Sequence, residues 1–385
     1  MTGPADRESI VVAKASAVRV RIPFRQPFRS AAGVFQQRDA WIVRLRDRDG
    51  YEGFGEASLA PADSARATDR LASAIGNAMD RIGSDGELAE WLAPPPALED
   101  AASDGGEEPT GSTGDRAARA VRAAIEGAAL DLGLVDLGVE AAAVVTLNAT
   151  IGTEDHDASR AAAQVAVDHG YRCLKLKGGS ERSTADLTRR IAAIREAVGP
   201  DVALRLDVNG AWDEATALER LAALAGLRLA YVEQPLPPGD PARLASLRHA
   251  SGVRIAADES VASLTAARRL IAADAVDVLV VKPARVGGPG PATAIVRDAL
   301  AADVGVTVST LLETGIGLAA AARVAAALPD RGYAHGLATG DLLASDLLTS
   351  PLAVERGRLA VPEPGLRLDE GAVARWAVDH AGAPW

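Results

Sequence analysis

Five stretches decide the fold: YRCLKLKGG (residues 171–179), ALRLDVNG (203–210), YVEQP (231–235), IAADES (255–260) and VLVVKPARVGG (278–288). Each is a short apolar run ending in a charge. The charges are Lys177, Asp207, Glu233, Asp258 and Lys282, spaced 24 to 30 residues apart. A charge at the end of a buried strand is costly unless it meets an opposite charge. The regular series therefore points to one shared site. Three carboxylates between two lysines suit a divalent cation with a base on each side. That arrangement can take a proton from carbon next to a carboxylate.

Outward from these stretches, further apolar runs lie at VVTLNATI (144–151) and VGVTVSTLL (304–312). Helical patterns separate the runs, over 157–169, 183–198, 214–224, 241–249, 263–272 and 289–302. Near-continuously apolar strands alternating with helices are parallel strands covered on the outside. Seven such repeats favour a TIM-type (β/α) barrel over an open doubly wound sheet, and a barrel gathers its site from several strands at one rim. The barrel is expected over residues 135–350.

Residues 1–134 read differently, as an α+β domain. Strand candidates at 10–23 and 40–46 are separated by RQPFRSAAGVFQQRD (25–39), and a third lies in YEGFGEASLAP (51–61). Helical patterns cover 64–92 and 116–133. Between them, residues 94–115 have the composition of a flexible surface loop. Residues 351–385 return to strand and turn and are expected to pack back on this first domain.

The chain is 48% hydrophobic but only 3% aromatic, so its core is built from aliphatic side chains. A net charge of −11 argues against a nucleic-acid surface. Cys173 is the single cysteine, which excludes an intrachain disulfide and a thiolate metal site. No signal-like N-terminus and no run of 18 apolar residues occurs. The reading is a cytoplasmic protein with a small-molecule carboxylate as partner, no nucleic acid and no membrane.

Asp207, Glu233 and Asp258 offer hard oxygen ligands, for which Mg2+ is the default and Mn2+ a substitute. Lys175 and Lys177 share a strand face. Lys177 is the candidate base, and Lys175 together with the metal would favour its neutral form. Lys282 would approach from the opposite wall. Either both lysines exchange protons with carbon, or one acts and the other only neutralises developing charge. Asn209 and Glu259 are candidates to orient these groups, and Glu313 sits at the rim of the seventh strand. Each residue alone could be a helix cap, a turn acid or a solvent-facing lysine; the ordered series weighs against that. His169 and His335 read as ordinary partly buried histidines. There is no Gly-rich nucleotide fingerprint and no GKS or GKT triplet.

The ordered set KLK (175–177), DVNGAW (207–212), VEQP (232–235), ADES (257–260), VKPARVGG (281–288) and ETGIG (313–317) resembles the enolase superfamily, within it the muconate lactonizing enzyme subgroup. Residues 21–61 resemble its capping domain, so the likeness covers nearly the whole chain. It implies an enolase-type barrel, with Asp207, Glu233 and Asp258 on Mg2+, Lys177 as base and Lys282 as the lysine of the sixth strand. Mandelate racemase-like members carry a histidine–aspartate pair there instead. Loops at 29–36 and 56–61 would close over the substrate, and a dimer or octamer is implied. The shared step forms an enediolate.

HGLATGDLLASDLL (335–348) is similar to the eighth-strand region of o-succinylbenzoate synthases. VKPARVGG, with Arg285 as a substrate-side residue, is similar to the branch shared with N-succinylamino acid racemases. The expectation is therefore a Mg-dependent o-succinylbenzoate synthase. It would dehydrate 2-succinyl-6-hydroxy-2,4-cyclohexadiene-1-carboxylate in menaquinone biosynthesis. N-succinylamino acid racemase is the runner-up, then muconate cycloisomerase or dipeptide epimerase, then a barrel that binds without catalysis.

Overall fold

The structure is a computed structural model that describes residues 12–30, 33–85, 88–92, 113–138, 141–152, 155–329 and 333–385. The flexible loop expected at 94–115 lies mostly outside the described residues. In chain order the strands are β1 (Val12–Ser30), β2 (Gly33–Asp47), β3 (Glu52–Ala57), β4 (Val144–Thr146), β5 (Ala149–Ile151), β6 (Cys173–Lys177), β7 (Ala203–Asp207), β8 (Tyr231–Glu233), β9 (Ile255–Ala257), β10 (Val278–Val281), β11 (Gly305–Val308), β12 (Val354–Glu355), β13 (Arg358–Ala360) and β14 (Ala377–Gly382).

β1, β2 and β3 form an antiparallel meander, and β14 adds to the free edge of β1. Residues 25–39 are not a separating loop, as the sequence suggests. The β1–β2 hairpin runs on through them, pairing Phe28 with Phe35 and Ser30 with Gly33. Pro23 and Pro27 cannot donate to the ladder. Here they fall at a bulge, where Phe24 and Phe28 bring their rings to 5.6 Å. The meander is buried on both faces. Ala17, Trp41, Val43 and Leu45 pack against the helices Ala65–Asp85 and Thr113–Asp131. Val20, Ile22, Ala40 and Ile42 pack with Ile316, Leu343 and Leu347 of the barrel side. The single helix expected over 64–92 is two, the second being Ala89–Leu92.

β5 to β11 form one parallel sheet in strict sequence order. Parallel bridges from Leu147 to His335 and from Ser309 to Gly336 close it into a ring with an eighth position at 335–336. Side chains reinforce that short segment: Thr307 Oγ1 and Arg205 Nη1 both donate to the Ala334 carbonyl, each at 2.8 Å. The fold is thus the TIM-type barrel with an α+β cap. Most barrel helices begin with a capping side chain: Asp155, Ser183, Asp213, Asp240, Ser263 or Thr314. β13 pairs with β4 beside the first barrel strand, and β12 pairs with the other edge of β13. Among the described residues, no helix is long and apolar enough to cross a membrane.

Buried carboxylates of the first domain dock it on the barrel. Glu56 accepts from Thr314 N, Thr314 Oγ1 and Gly317 N at the start of helix Gly315–Ala326. Glu126 accepts from Gly290 N, at 2.8 Å, in the first turn of helix Pro289–Ala301, whose N-cap Gly288 has no side chain to offer. Asp131 takes Arg323 Nη2 at 2.9 Å. Anions at helix N-termini are favoured by the exposed N–H groups and the helix dipole.

β3 lies so close to helix Thr113–Asp131 that a Cβ on Gly55 would overlap the Ala124 carbonyl. Gly55→Ala should therefore destabilise by about 3 kcal/mol, the upper end for overpacking. Gly76→Ala, in a helix with nothing within 4 Å of the added Cβ, should stabilise by about 0.5–1 kcal/mol. Urea unfolding midpoints of the two variants check both signs.

Candidate active site

Parallel register sets the site. Lys175 pairs in register with Arg205 and Arg205 with Tyr231; two residues on, Lys177 pairs with Asp207 and Asp207 with Glu233. Side chains two apart on a strand point the same way, so two charged layers stack towards the C-terminal rim. Asp258 follows β9 and Lys282 follows β10. In the eight-position ring, β6 and β10 are four strands apart, so Lys177 and Lys282 stand on opposite walls.

Of the predicted residues, all but Glu313 join one cluster. Lys175 Nζ bridges Glu233 Oε1 at 2.6 Å and Asp207 Oδ2 at 2.8 Å. Lys177 Nζ reaches the same Asp207 oxygen at 2.6 Å and Asn209 Oδ1 at 3.0 Å. Asn209 in turn donates to Glu259 Oε1 at 3.0 Å. Its left-handed backbone (φ 51°), followed by Gly210 (φ 72°), turns the chain at the strand end. On the other wall, Lys282 Nζ and Arg285 Nη1 hold the two oxygens of Asp258, each at 2.6 Å. Asp207, Glu233 and Asp258 are buried to 0, 1 and 1% exposure.

Burial alone would push every one of these groups towards neutrality. For Asp258 that push is outweighed by Lys282, Arg285 and Lys175, which hold its carboxyl well below the usual range. Asp207 is likewise held down against burial by Lys175 and Lys177. Lys175 is desolvated too, yet Asp207, Glu233 and Asp258 keep it well above its ordinary value. Lys282 goes the other way: burial and then the Arg285 charge lower it. Glu233 is pushed up to about 7 by burial and by Asp207, despite Lys175. Glu259 is raised by burial, Asp258 and Asp207, and its Oε2 is buried without a hydrogen-bond partner.

The donors facing one another here are all carboxylate oxygens, and hard oxygens fit a hard divalent cation. Among the described residues, no three acidic, histidine or cysteine side chains stand close enough to form a ready cage. Lysine ammonium groups lie against the carboxylate oxygens instead.

Glu313 stands apart from this cluster, against the first domain. Burial and Glu56 push it up to about 7, with Arg38 pulling the other way. It accepts a short hydrogen bond from Leu311 N. His335 is a buried barrel residue whose Nδ1 accepts from Val308 N at 3.1 Å, and His169 caps a helix end.

Sequence reasoning missed three supporting residues. Gln234 (φ 43°) accepts from Asp258 N and Ser260 N at 3.0 and 3.1 Å, fixing the turn that presents Asp258; its place in VEQP was the available signal. Buried Arg190 donates to the Lys177 carbonyl at 2.6 Å. Arg38, on β2, donates to the Leu59 carbonyl; nothing in its local pattern sets it apart from the many surface arginines.

Residues 157–370 match the family described as enolase C-terminal domain-like. An o-succinylbenzoate synthase of Thermobifida fusca is 39% identical over 221 residues, spanning 56% of this chain and 66% of that protein. The alignment thus spans just under two thirds of that relative. One from Mycolicibacterium smegmatis is 35% identical over 243 residues, 63% of this chain and 72% of that protein. A muconate lactonizing enzyme structure from Pseudomonas fluorescens, complexed with muconolactone, superposes with a TM-score of 0.78 at 27% identity, covering 96% of this chain and all of that one. The chain belongs to the enolase superfamily. Within it, it falls in the muconate-lactonizing-enzyme and mandelate-racemase subgroup.

Glu313 gives a pH signature. Its folded carboxyl sits at about 7, above the roughly 4.3 of an unfolded glutamate. The folded state then binds the extra proton, so this group's contribution is full below about pH 4 and is lost as pH rises to 7. Glu313→Gln should remove that loss. Its urea midpoint should exceed the parent's at pH 8, and the gain should shrink at pH 5.

Proposed function

We propose that the chain is an o-succinylbenzoate synthase. It would dehydrate 2-succinyl-6-hydroxy-2,4-cyclohexadiene-1-carboxylate, a step of menaquinone biosynthesis. The observation that carries the chemistry is the pair Lys177 and Lys282 facing each other across three buried carboxylates. The named relatives supply the choice of substrate.

Asp207, Glu233 and Asp258 would hold Mg2+, which when bound would offset the negative charge that develops on the substrate carboxylate. Lys177 Nζ takes the proton from the carbon bearing the ring carboxylate. The C–H electron pair passes into an enediolate. Its return forms the ring double bond and breaks the bond to the neighbouring hydroxyl. The Lys177 ammonium gives its proton to that oxygen, so water leaves from the same face and the lysine ends neutral. Asn209, hydrogen-bonded to both Lys177 and Glu259, limits where the amine can swing. Lys282 faces the opposite side of the substrate and stabilises the enediolate by its charge.

N-succinylamino acid racemase is the second reading, favoured by the same placement of lysines on both walls. There, one lysine removes the proton and the other returns one to the opposite face.

Steady-state turnover with Mg2+ decides between these. The cyclohexadiene substrate should be dehydrated far faster than N-succinylamino acids are racemised or cis,cis-muconate is cyclised. Dominant racemisation or lactonisation would move the function to that branch. Lys177→Ala should lower kcat for dehydration by about 10^3-fold, and unimpaired elimination at neutral pH would remove Lys177 as the base. Chelation should abolish turnover, and added Mg2+ should restore it.

A further inference from the structure

Arg38 is only 3% exposed, yet its Nε and Nη2 have no hydrogen-bond partner. It shares a strand face with Ala40 and Ile42, the face packed against Ile316 and Leu343 on the barrel side. Its Nη1 donates to Leu59 O, in the 56–61 segment. The first charge it feels is Glu313, just beyond β11 at the barrel's C-terminal rim, and the next is Glu56. Glu56 is engaged by Ser58, Thr314 and Gly317, and Glu313 by Leu311 N. Neither makes a hydrogen bond to the Nε and Nη2 edge of the guanidinium, which is buried.

A buried cation with two unmet donors is expensive. Nε and Nη2 are the two parallel donors on one edge of the guanidinium, the fork that matches a carboxylate bidentately. The three substrates named under the proposed function each carry a second carboxylate: the succinyl group of the cyclohexadiene, that of N-succinylamino acids, and the far end of muconate. We propose that Arg38 receives this second carboxylate, making it the residue that selects dicarboxylates. The inference rests on the reading of a carboxylate substrate at the barrel rim, but not on which reaction follows.

Binding tests it without turnover. Calorimetry with Mg2+ present would compare 2-succinylbenzoate with 2-butyrylbenzoate, in which a methyl group replaces the chain-end carboxylate. The parent should prefer the dicarboxylate by about 10- to 100-fold. Arg38→Met should lose most of that preference while binding 2-butyrylbenzoate as the parent does, and Arg38→Lys should keep part of it. Equal weakening of both ligands in Arg38→Met would mean that Arg38 only props the 56–61 segment, and an undiminished preference would place the second carboxylate elsewhere. Either result overturns the proposal. If Arg38→Met does not fold, Arg38→Lys carries the test: it must lower the preference, and an unchanged ratio overturns the proposal. Failure of the dehydration assay leaves this comparison intact, so the two readings fail separately.

Discussion

The structure depends on burying charge at the ends of parallel strands. Asp207, Glu233 and Asp258 are almost wholly removed from water. Removing one partner of such a buried pair is far more damaging than the pair is stabilising. The cluster is tolerable only because the register of β6, β7 and β8 puts Lys177, Asp207 and Glu233 at one level and Lys175 just beneath. A one-residue slip would turn every one of these side chains to the other face. Fold and site are therefore the same constraint seen at two scales.

That constraint is why the barrel and the charged cluster could be read from sequence. Apolar runs each ending in a charge at regular spacing are a local pattern with a non-local consequence. The resemblance to the enolase superfamily rests on the same residues, and the family match and the folded chain agree with it. Other features were hidden because they depend on partners far along the chain. The β1–β2 hairpin runs through a stretch containing two prolines because Phe28 and Phe35 continue the ladder beyond the bulge. The eighth barrel position has too few ladder pairs to show a strand pattern and is reinforced by Thr307 and Arg205. Arg38 and Glu313 acquire their character only when β2 is laid against the barrel rim, some 275 residues away in sequence.

The docking of the two parts follows from similar physics. Glu56 and Glu126 satisfy backbone N–H groups at two barrel helix starts. Each is a carboxylate spent on a helix terminus rather than on chemistry. Glu56 is also the first residue of the 56–61 segment, so the contact that anchors the first domain is continuous with that segment. Water excluded there would strengthen the field of the lysines and carboxylates beneath.

The most direct test of the central claim, that this cluster removes a proton from carbon next to a carboxylate, is solvent-deuterium exchange. The Mg2+-loaded protein would be incubated in heavy water with N-succinylamino acids and followed by NMR at the α-carbon. Exchange in the parent, lost or confined to one enantiomer when Lys177 is replaced by alanine, is the predicted result. Tight Mg2+-dependent binding of carboxylates with no exchange at any of them, and no dehydration of the cyclohexadiene substrate, would contradict the claim and leave a barrel that binds without catalysis.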